Sequence, residues 1–479
     1  MIGSEALPFA KTGGLADVLG ALPAALARLG WDVTLVMPRY RGVDAGRFLE
    51  RRPVTVGGFF ADVRFYEEPL ADGARAILVD EPSLYDRPYL YGEGNADYPD
   101  NPRRFALLAR AAFEWAIRAG VAPTIVHAHD WQAGLAPVYL RTMYAGNPLL
   151  AGARSVFTIH NLAYQGRFEP DWVPRLDLPW SAYTIEQLEF WETMSFLKGG
   201  VVNADAVTTV SPGYAREIQT PAGGAGFDGI LRSRAERLFG VLNGIDVREW
   251  DPAHDKHLPE PYSADDLAGK RAAKAAVLRA YGLEADDGAL ARPLVGMISR
   301  MVDQKGLDLI AALSPQLPAL NASFVVLGTG EPRYQDMWRA LAAAHPDRIG
   351  ARIGFDEGLA HLIEGGADIF LMPSLFEPCG LNQMYSLRYG TVPIVRRTGG
   401  LADTVVDYAR GRKGATGFVF DEYSPAALFG TMRRALGVFG NRSAWRALQR
   451  NGMKQDLSWD RSAREYVKIY GFATTQGRG

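Results

Sequence analysis

The chain has 479 residues, 48 % of them hydrophobic and 22 % charged, with a formal net charge of −2. That length exceeds one ordinary core, so two or more domains are expected, and the composition excludes a disordered chain. The near-neutral charge disfavours nucleic acid as a partner, and the single cysteine, Cys379, excludes an intrachain disulfide and suits a reducing cytoplasm.

The opening stretch MIGSEALPFAKTGG lacks a basic segment followed by a long apolar one, so no signal peptide is expected. No apolar run of about 18 residues occurs, so no membrane span is expected either. Only Met1-Ile2 precede Gly3-Ser4-Glu5, whereas a strand usually has about 5–6 residues. Either the first strand is clipped or the natural start lies upstream, and the first sheet and the placement of Lys11 are expected to suffer there.

Next comes Thr12-Gly13-Gly14-Leu15-Ala16-Asp17 after Lys11, ahead of a helical pattern. Apolar runs rich in β-branched residues then read as buried strands at 32–38, 124–129, 155–160 and 206–211. Between them lie helices. The clearest is 101–120, with Asn101 as N-cap, Pro102 at the first helical position and Gly120 past the end. Residues 251–270, rich in proline and charge, read as a surface connection between domains. The alternation restarts at 293–299, 323–328, 368–374, 391–396 and 417–421, and an amphipathic stretch follows at 458–473. Two α/β halves of parallel β-α-β units are expected. Ligands of such sheets bind outside the carboxyl ends of the strands, so facing crevices would make one deep cleft.

The polar residues after each strand are therefore the candidates. The phrase TGGLAD occurs twice, the second time as Thr398-Gly399-Gly400-Leu401-Ala402-Asp403 after Arg397. Each copy is a glycine pair opening a helix, where close backbone approach and helix N–H groups favour an anion. A single Gly-Gly is as often a plain turn, but two copies suggest a shared phosphate or sugar ligand. Arg300 and Lys305 follow a strand and together can grip a diphosphate, one as a fork and one as a point charge. Glu377, ahead of Cys379, Gly380 and Leu381, offers a carboxylate beside amides at a helix start. His127 and His129 alternate on one strand face, but no further ligand cluster supports a metal, and packing or hydrogen bonding is the favoured role. Asp130 and Trp131, and then His160 and Asn161, sit at strand ends. Gly328-x-Gly330 has Arg333 in place of a third glycine, which weakens a hydride-transfer enzyme using a dinucleotide.

Taken together, KTGGLADV, HAHDWQAGL, FTIHNLAYQG, GVLNGID, SRMVDQKGLDL, EPCGLNQMYSLRYGTVPIVRRTGGLADTV and GFVFDEYSP closely resemble the bacterial glycogen synthase and plant starch synthase family. The phrases run in the family's order from residue 11 to about 425. The resemblance implies the GT-B fold, two Rossmann-like domains across a cleft. The expected division is 1–245, 246–457 and a C-terminal helix, 458–479, packing back on the first domain. It implies transfer of glucose from ADP-glucose to the non-reducing 4-OH of an α-1,4-glucan with retention of configuration.

Carried over position by position, Arg300, Lys305, Glu377, His160 and Asp130 are the expected catalytic set. Lys11, Gly13, Gly14, Asp17, Asn161, Asn243, Cys379, Gly380, Leu381, Thr398, Gly399 and Gly400 are the expected substrate-binding set. Lys11 looks like the ADP-glucose lysine and Glu377 like the glucose-binding carboxylate. Cationic groups can meet the charge of the leaving phosphate, so no metal or other cofactor is expected. Many GT-B enzymes carry a second Glu eight positions after the first, and here that position is Tyr385. No carboxylate pair of the glycosidase kind therefore arises from this loop. The alternatives are a related transferase using UDP-glucose, or a non-catalytic glucan-binding protein. Neither nucleic acid nor membrane is an expected partner.

Overall fold

Ile2 lies between two longer strands. Its amide donates to His127 O and its carbonyl accepts from His129 N, while Val36 N donates to Met1 O and Gly3 N to Val36 O. The computed structural model describes residues 1–44, 46–94, 96–410 and 413–475. In it this short segment fills the gap between Thr34–Pro38 and Ile125–His129, and it is parallel to both. This short first segment thus sits in the interior of the first sheet, held from both sides.

Two units make up the chain. The first comprises Met1–Gly244 and the segment from Trp459 onward, and the second comprises Ile245–Ser458. In the first unit, Leu238–Gly240, Ala206–Thr209, Arg154–Ile159 and Ile125–His129 run parallel on one side of Ile2. On the other side, Thr34–Pro38 pairs parallel with Arg75–Asp80, which continues into Phe59–Pro69 and Arg47–Val56. These last pairings are antiparallel, where only parallel units were expected. The cause is Gly57-Gly58, with φ of 52° and 79°, placed between Val56 and its partner Phe59. Two residues at positive φ make the hairpin turn that matches strand twist, and glycine adopts it without steric cost.

The long helix begins one residue from expectation. It spans Asn101–Arg118 with Asp100 at the N-cap, because Asn101 is buried and occupied elsewhere. Asn101 Nδ2 donates to Tyr91 O (2.8 Å) and its Oδ1 accepts from Arg104 (2.7 Å). Gly120 takes up φ 69° beyond the end.

The terminal helix Trp459–Thr475 packs on the helix Gly14–Arg28. Trp459, Ala463, Tyr466, Ile469, Tyr470 and Ala473 follow the three-and-four spacing of one helix face, and they share a core with Val18, Leu22, Ala25 and Leu26. Tyr470 Oη also meets His127 Nδ1 at 2.8 Å. Residues 476–479 of the expected terminal segment lie outside the described residues.

The second unit is one six-stranded parallel sheet. Taking its strands in chain order, Leu294–Ile298, Ser323–Gly328, Ile349–Ile353, Ile369–Met372, Val392–Arg396 and Phe418–Phe420, the spatial order is 3-2-1-4-5-6. That is the doubly wound dinucleotide-fold order, with a switch point between Leu294–Ile298 and Ile369–Met372. Residues 251–270, expected to be a connection between domains, belong to this unit. Tyr262 is buried, its hydroxyl 3.0 Å from Gly365 O and 2.8 Å from Tyr389 O. Lys270 Nζ donates to the same two carbonyls and to Thr391 Oγ1. Burial pulls the Lys270 ammonium down to about 7. Much of the segment is exposed, as its composition suggests, but Tyr262 and Lys270 staple it to the unit. No described helix is long and apolar enough to cross a membrane.

Because Trp459 is 5 % exposed within the first unit's core, Trp459→Ala is expected to remove about 3–5 kcal/mol from that unit's stability. Urea unfolding followed by circular dichroism checks this as a lowered midpoint.

Candidate active site

The switch point of the second unit opens a cavity of about 210 Å³. Its walls come from the ends of the two diverging strands: Met297 to Arg300 on one side, Leu371, Met372 and Ser374 on the other, with Lys305, Glu377 and Gly380 to Asn382 closing it. Five expected residues from two separate stretches of the chain, Arg300 and Lys305 on one and Glu377, Gly380 and Leu381 on the other, thus meet in one place.

Two loops are stitched together to form this floor. Gln304 Nε2 donates to Phe376 O (2.8 Å), and Leu375 N donates to Gln304 O (2.9 Å). Gly306 has φ 76°, and a Cβ there would strike Pro373 O, so only glycine lets the loops close. The result is an ion pair between Lys305 Nζ and Glu377 Oε2 at 2.5 Å, with side chains 19 % and 9 % exposed. Ser374 Oγ donates to the same carboxylate oxygen (3.0 Å). Both bonds use Oε2, and no other bond to Oε1 occurs among the described residues, so that oxygen stays open to a ligand. Arg300 is exposed and shares one N–H with Gln304 Oε1 (3.2 Å). Its remaining donors are available to an anion.

The second TGGLAD stands behind this floor and does not line the cavity. Gly400 N donates to Glu377 O (3.1 Å) and Pro378 O (3.2 Å). A Cβ on Gly399 would strike Glu377 O, and one on Gly400 would strike Cys379 O. Gly399 and Gly400 therefore pack against the Glu377 loop, and the Gly400 amide is taken up by that loop's carbonyls. The helix they open, Gly399–Thr404, is six residues long. Cys379 is buried in the same layer.

The first copy differs. Lys11 to Gly14 are exposed, and a Cβ on Gly13 or Gly14 would meet nothing within 4 Å. Glu5 shapes this loop from below: its carboxylate accepts from Thr12 N, Thr12 Oγ1 (2.6 Å), Gly13 N (3.2 Å) and Tyr91 Oη. Gly13's amide is thus taken, while the open space remains above Gly14, where the helix begins. Lys11 Nζ rests on Asp17 Oδ1 at 2.6 Å. Glu5, Tyr91 and Ser374 escaped the sequence reading. Each acts through the fold rather than through a motif, though Ser374 could have been noticed as a hydroxyl at a strand end.

At the ends of Ile125–His129 and Arg154–Ile159, Asp130 takes φ 57° and its Oδ1 accepts from His160 N (2.7 Å). His160 Nε2 lies 3.0 Å from His129 Nδ1, and His127 Nε2 lies 2.6 Å from Thr158 Oγ1. His127 uses both ring nitrogens in hydrogen bonds, whereas His129 Nε2 is buried without a partner. Burial pushes Asp130 up to about 7 and His160 down to about 3. Asn161 Oδ1 caps its own turn through Ala163 N (3.0 Å). Asn243 Oδ1 is buried without a partner.

Among the described residues one trio, Glu249, Glu357 and His361, brings ligand atoms within 4.8 Å of one another, and none of its members lines the cavity. His361 Nδ1 is already bonded to Asp255 (2.8 Å). Tyr385 stacks on Trp250 (3.7 Å), which also stacks with His361 (3.8 Å).

The two shifted groups give opposite slopes of stability with pH. Asp130, with a folded pKa above its unfolded 3.8, holds an extra proton in the folded state, so its contribution is lost as pH rises from about 4 to 7. His160, with a folded pKa below its unfolded 6.5, contributes less as pH falls from 6.5 towards 3. Asp130→Asn should therefore make stability rise more steeply between about pH 4 and 6.5, and His160→Gln should flatten it. Urea midpoints measured across that range decide the matter.

Comparisons with known proteins agree with this layout. Residues 1–233 match the family model described as starch synthase catalytic domain, and 287–445 match glycosyl transferases group 1. The glycogen synthase of Anaeromyxobacter dehalogenans is 52 % identical over 478 residues, covering 98 % of each chain. The catalytic domain of starch synthase IV from Arabidopsis thaliana, solved bound to ADP and acarbose, superimposes with a TM-score of 0.88 at 32 % identity, covering 99 % of both chains. A sucrose-phosphate synthase from Thermosynechococcus elongatus shares the fold, at a TM-score of 0.61 and 18 % identity over 98 % of this chain and 97 % of that one. The chain belongs to the glycogen and starch synthase family of GT-B glycosyltransferases.

Proposed function

We propose that the chain catalyses the glycogen synthase reaction in the cytoplasm. It transfers glucose from ADP-glucose to the non-reducing 4-OH of an α-1,4-glucan, with retention and without a metal or other cofactor. The observation that carries this reading is the switch-point cavity, where two cationic side chains and one half-free carboxylate converge. The ADP-bound starch synthase relative supports the choice of nucleotide.

In the proposed step the bond from glucose C1 to the diphosphate oxygen breaks, and its electron pair goes to that oxygen. Arg300 and Lys305 stabilise the growing negative charge, which is largest in the transition state. Glu377 Oε1 accepts a hydrogen bond from a sugar hydroxyl and fixes the ring. The acceptor O4 bonds to C1 on the face the phosphate leaves, and its proton passes to the leaving phosphate oxygen. Tyr385 offers no second carboxylate, in keeping with same-face attack rather than a covalent glycosyl intermediate on this loop. His160, Asp130, Asn161, Asn243, Asp17 and Lys11 are proposed as further substrate contacts, on the strength of the family resemblance.

Incubation with radiolabelled ADP-glucose or UDP-glucose and glycogen tests the reading directly. Label in polymer from ADP-glucose is the expected result. No label from either donor removes the transferase assignment, and label from UDP-glucose alone removes the nucleotide assignment. Arg300→Ala and Lys305→Ala are each expected to lower kcat/KM for ADP-glucose by about 10²–10³. Lys11→Ala, losing one charged hydrogen bond, is expected to lower it by about 10–100-fold.

A further inference from the structure

Between the strand Arg154–Ile159 and the helix Phe196–Asn203, the first unit makes an excursion through residues 160–195. It leaves the sheet at His160, on the carboxyl edge where ligands of parallel sheets bind. The chain has ten tryptophans. Among the described residues two are exposed, Trp180 at 58 % and Trp191 at 71 %, and both lie on this excursion. Tyr164, 59 % exposed, lies there as well.

Trp191 is presented in an unusual way. Phe190 pairs with Thr193 across a short antiparallel hairpin, so Trp191 and Glu192 are its two turn residues. Both have positive φ, 50° and 62°. Turns of this hand favour Asn-Gly or Asp-Gly, and residues with larger side chains are strained there. Strain of this kind persists where surroundings enforce it, and it gathers at ligand sites. Here the surroundings are evident. Glu192 N donates to Glu189 Oε1 (2.8 Å), and Arg167 donates to Trp191 O (3.3 Å) and Thr193 Oγ1 (3.0 Å). Phe190 anchors the hairpin on buried Phe227, with ring centroids 4.3 Å apart. The indole meets Phe190 edge to face at 6.2 Å, which leaves most of its surface in solvent.

We propose that Trp191 is a binding platform for an α-1,4-glucan chain. A pyranose ring has an apolar C–H face that an indole can cover, and a rim of hydroxyls that suits polar neighbours. The exposed charges of Arg167 and Glu192 at the turn would be costly to desolvate in an apolar protein interface, whereas a hydroxyl-rich ligand can hydrogen-bond to them. The proposal rests on the reading that a glucan is the acceptor.

The double variant Trp191→Asn with Glu192→Gly tests it, because it removes the ring while installing residues the turn favours, so the fold is kept. Affinity electrophoresis in gels containing glycogen measures binding, and thermal melting measures the fold. The expected result is a Tm at or above the parent's, about tenfold weaker glycogen binding, and a KM for glycogen raised by a similar factor while that for ADP-glucose stays. Glu192→Gly alone keeps the indole and should stay within about threefold of the parent's affinity. The proposal is overturned if the double variant binds glycogen as the parent does. It is equally overturned if sedimentation shows that the substitution changes only self-association, which would make the face an interface between copies. A parent that binds glycogen in the gel but transfers no glucose removes the proposed reaction and leaves the platform standing. A parent that binds no glycogen removes the platform.

Discussion

The ion pair between Lys305 and Glu377 joins the two loops that diverge at the switch point of the second unit. Neither residue is free to wander. Lys305 ends a short turn fixed by Gly306, and Glu377 is held by Ser374 and backed by Gly399 and Gly400. A partly buried pair of this kind gains little net free energy over its desolvation, so its value is geometric. It holds a cation and a carboxylate at fixed positions in the cavity wall, the preorganisation that the proposed reaction would draw on.

The repeated phrase TGGLAD shows how one string of residues can serve two physical ends. In the first copy the glycines face open space and a carboxylate from Glu5 sets the loop from beneath. In the second the same glycines are needed because a neighbouring backbone passes where side chains would be. Identical sequence therefore leaves open space beside the backbone in one unit and packs tightly in the other. The difference lies in what surrounds each copy, which no local pattern contains.

Much of the fold was legible because buried parallel strands are continuous apolar runs. Residues 294–298, 323–328 and 369–372 announce themselves in this way. The meander of 47–80 was missed, since Arg47–Val56 and Phe59–Pro69 carry many charges on a half-exposed sheet. Its Gly57-Gly58 turn was the available signal. Residues 251–270 misled for a related reason. Lys270 and Tyr262 are polar residues that reach buried carbonyls, and composition cannot distinguish a satisfied staple from a solvated surface. At the site, residues carried by strand ends, such as Arg300 and Glu377, were readable. Glu5 and Tyr91, which meet across 86 positions of sequence, were not.

The first unit is discontinuous along the chain. Its helix Trp459–Thr475 is synthesised only after the whole of Ile245–Ser458, yet it covers Val156, Ala206 and Val241 of a sheet completed long before. The second unit, by contrast, is built from one uninterrupted stretch. On the ribosome the second unit can therefore close first, while the first waits with an uncovered apolar sheet face. Contacts of such long sequence separation also slow folding, because the intervening chain must be looped out before they form. Assembly of the first unit is thus linked in time to completion of the second.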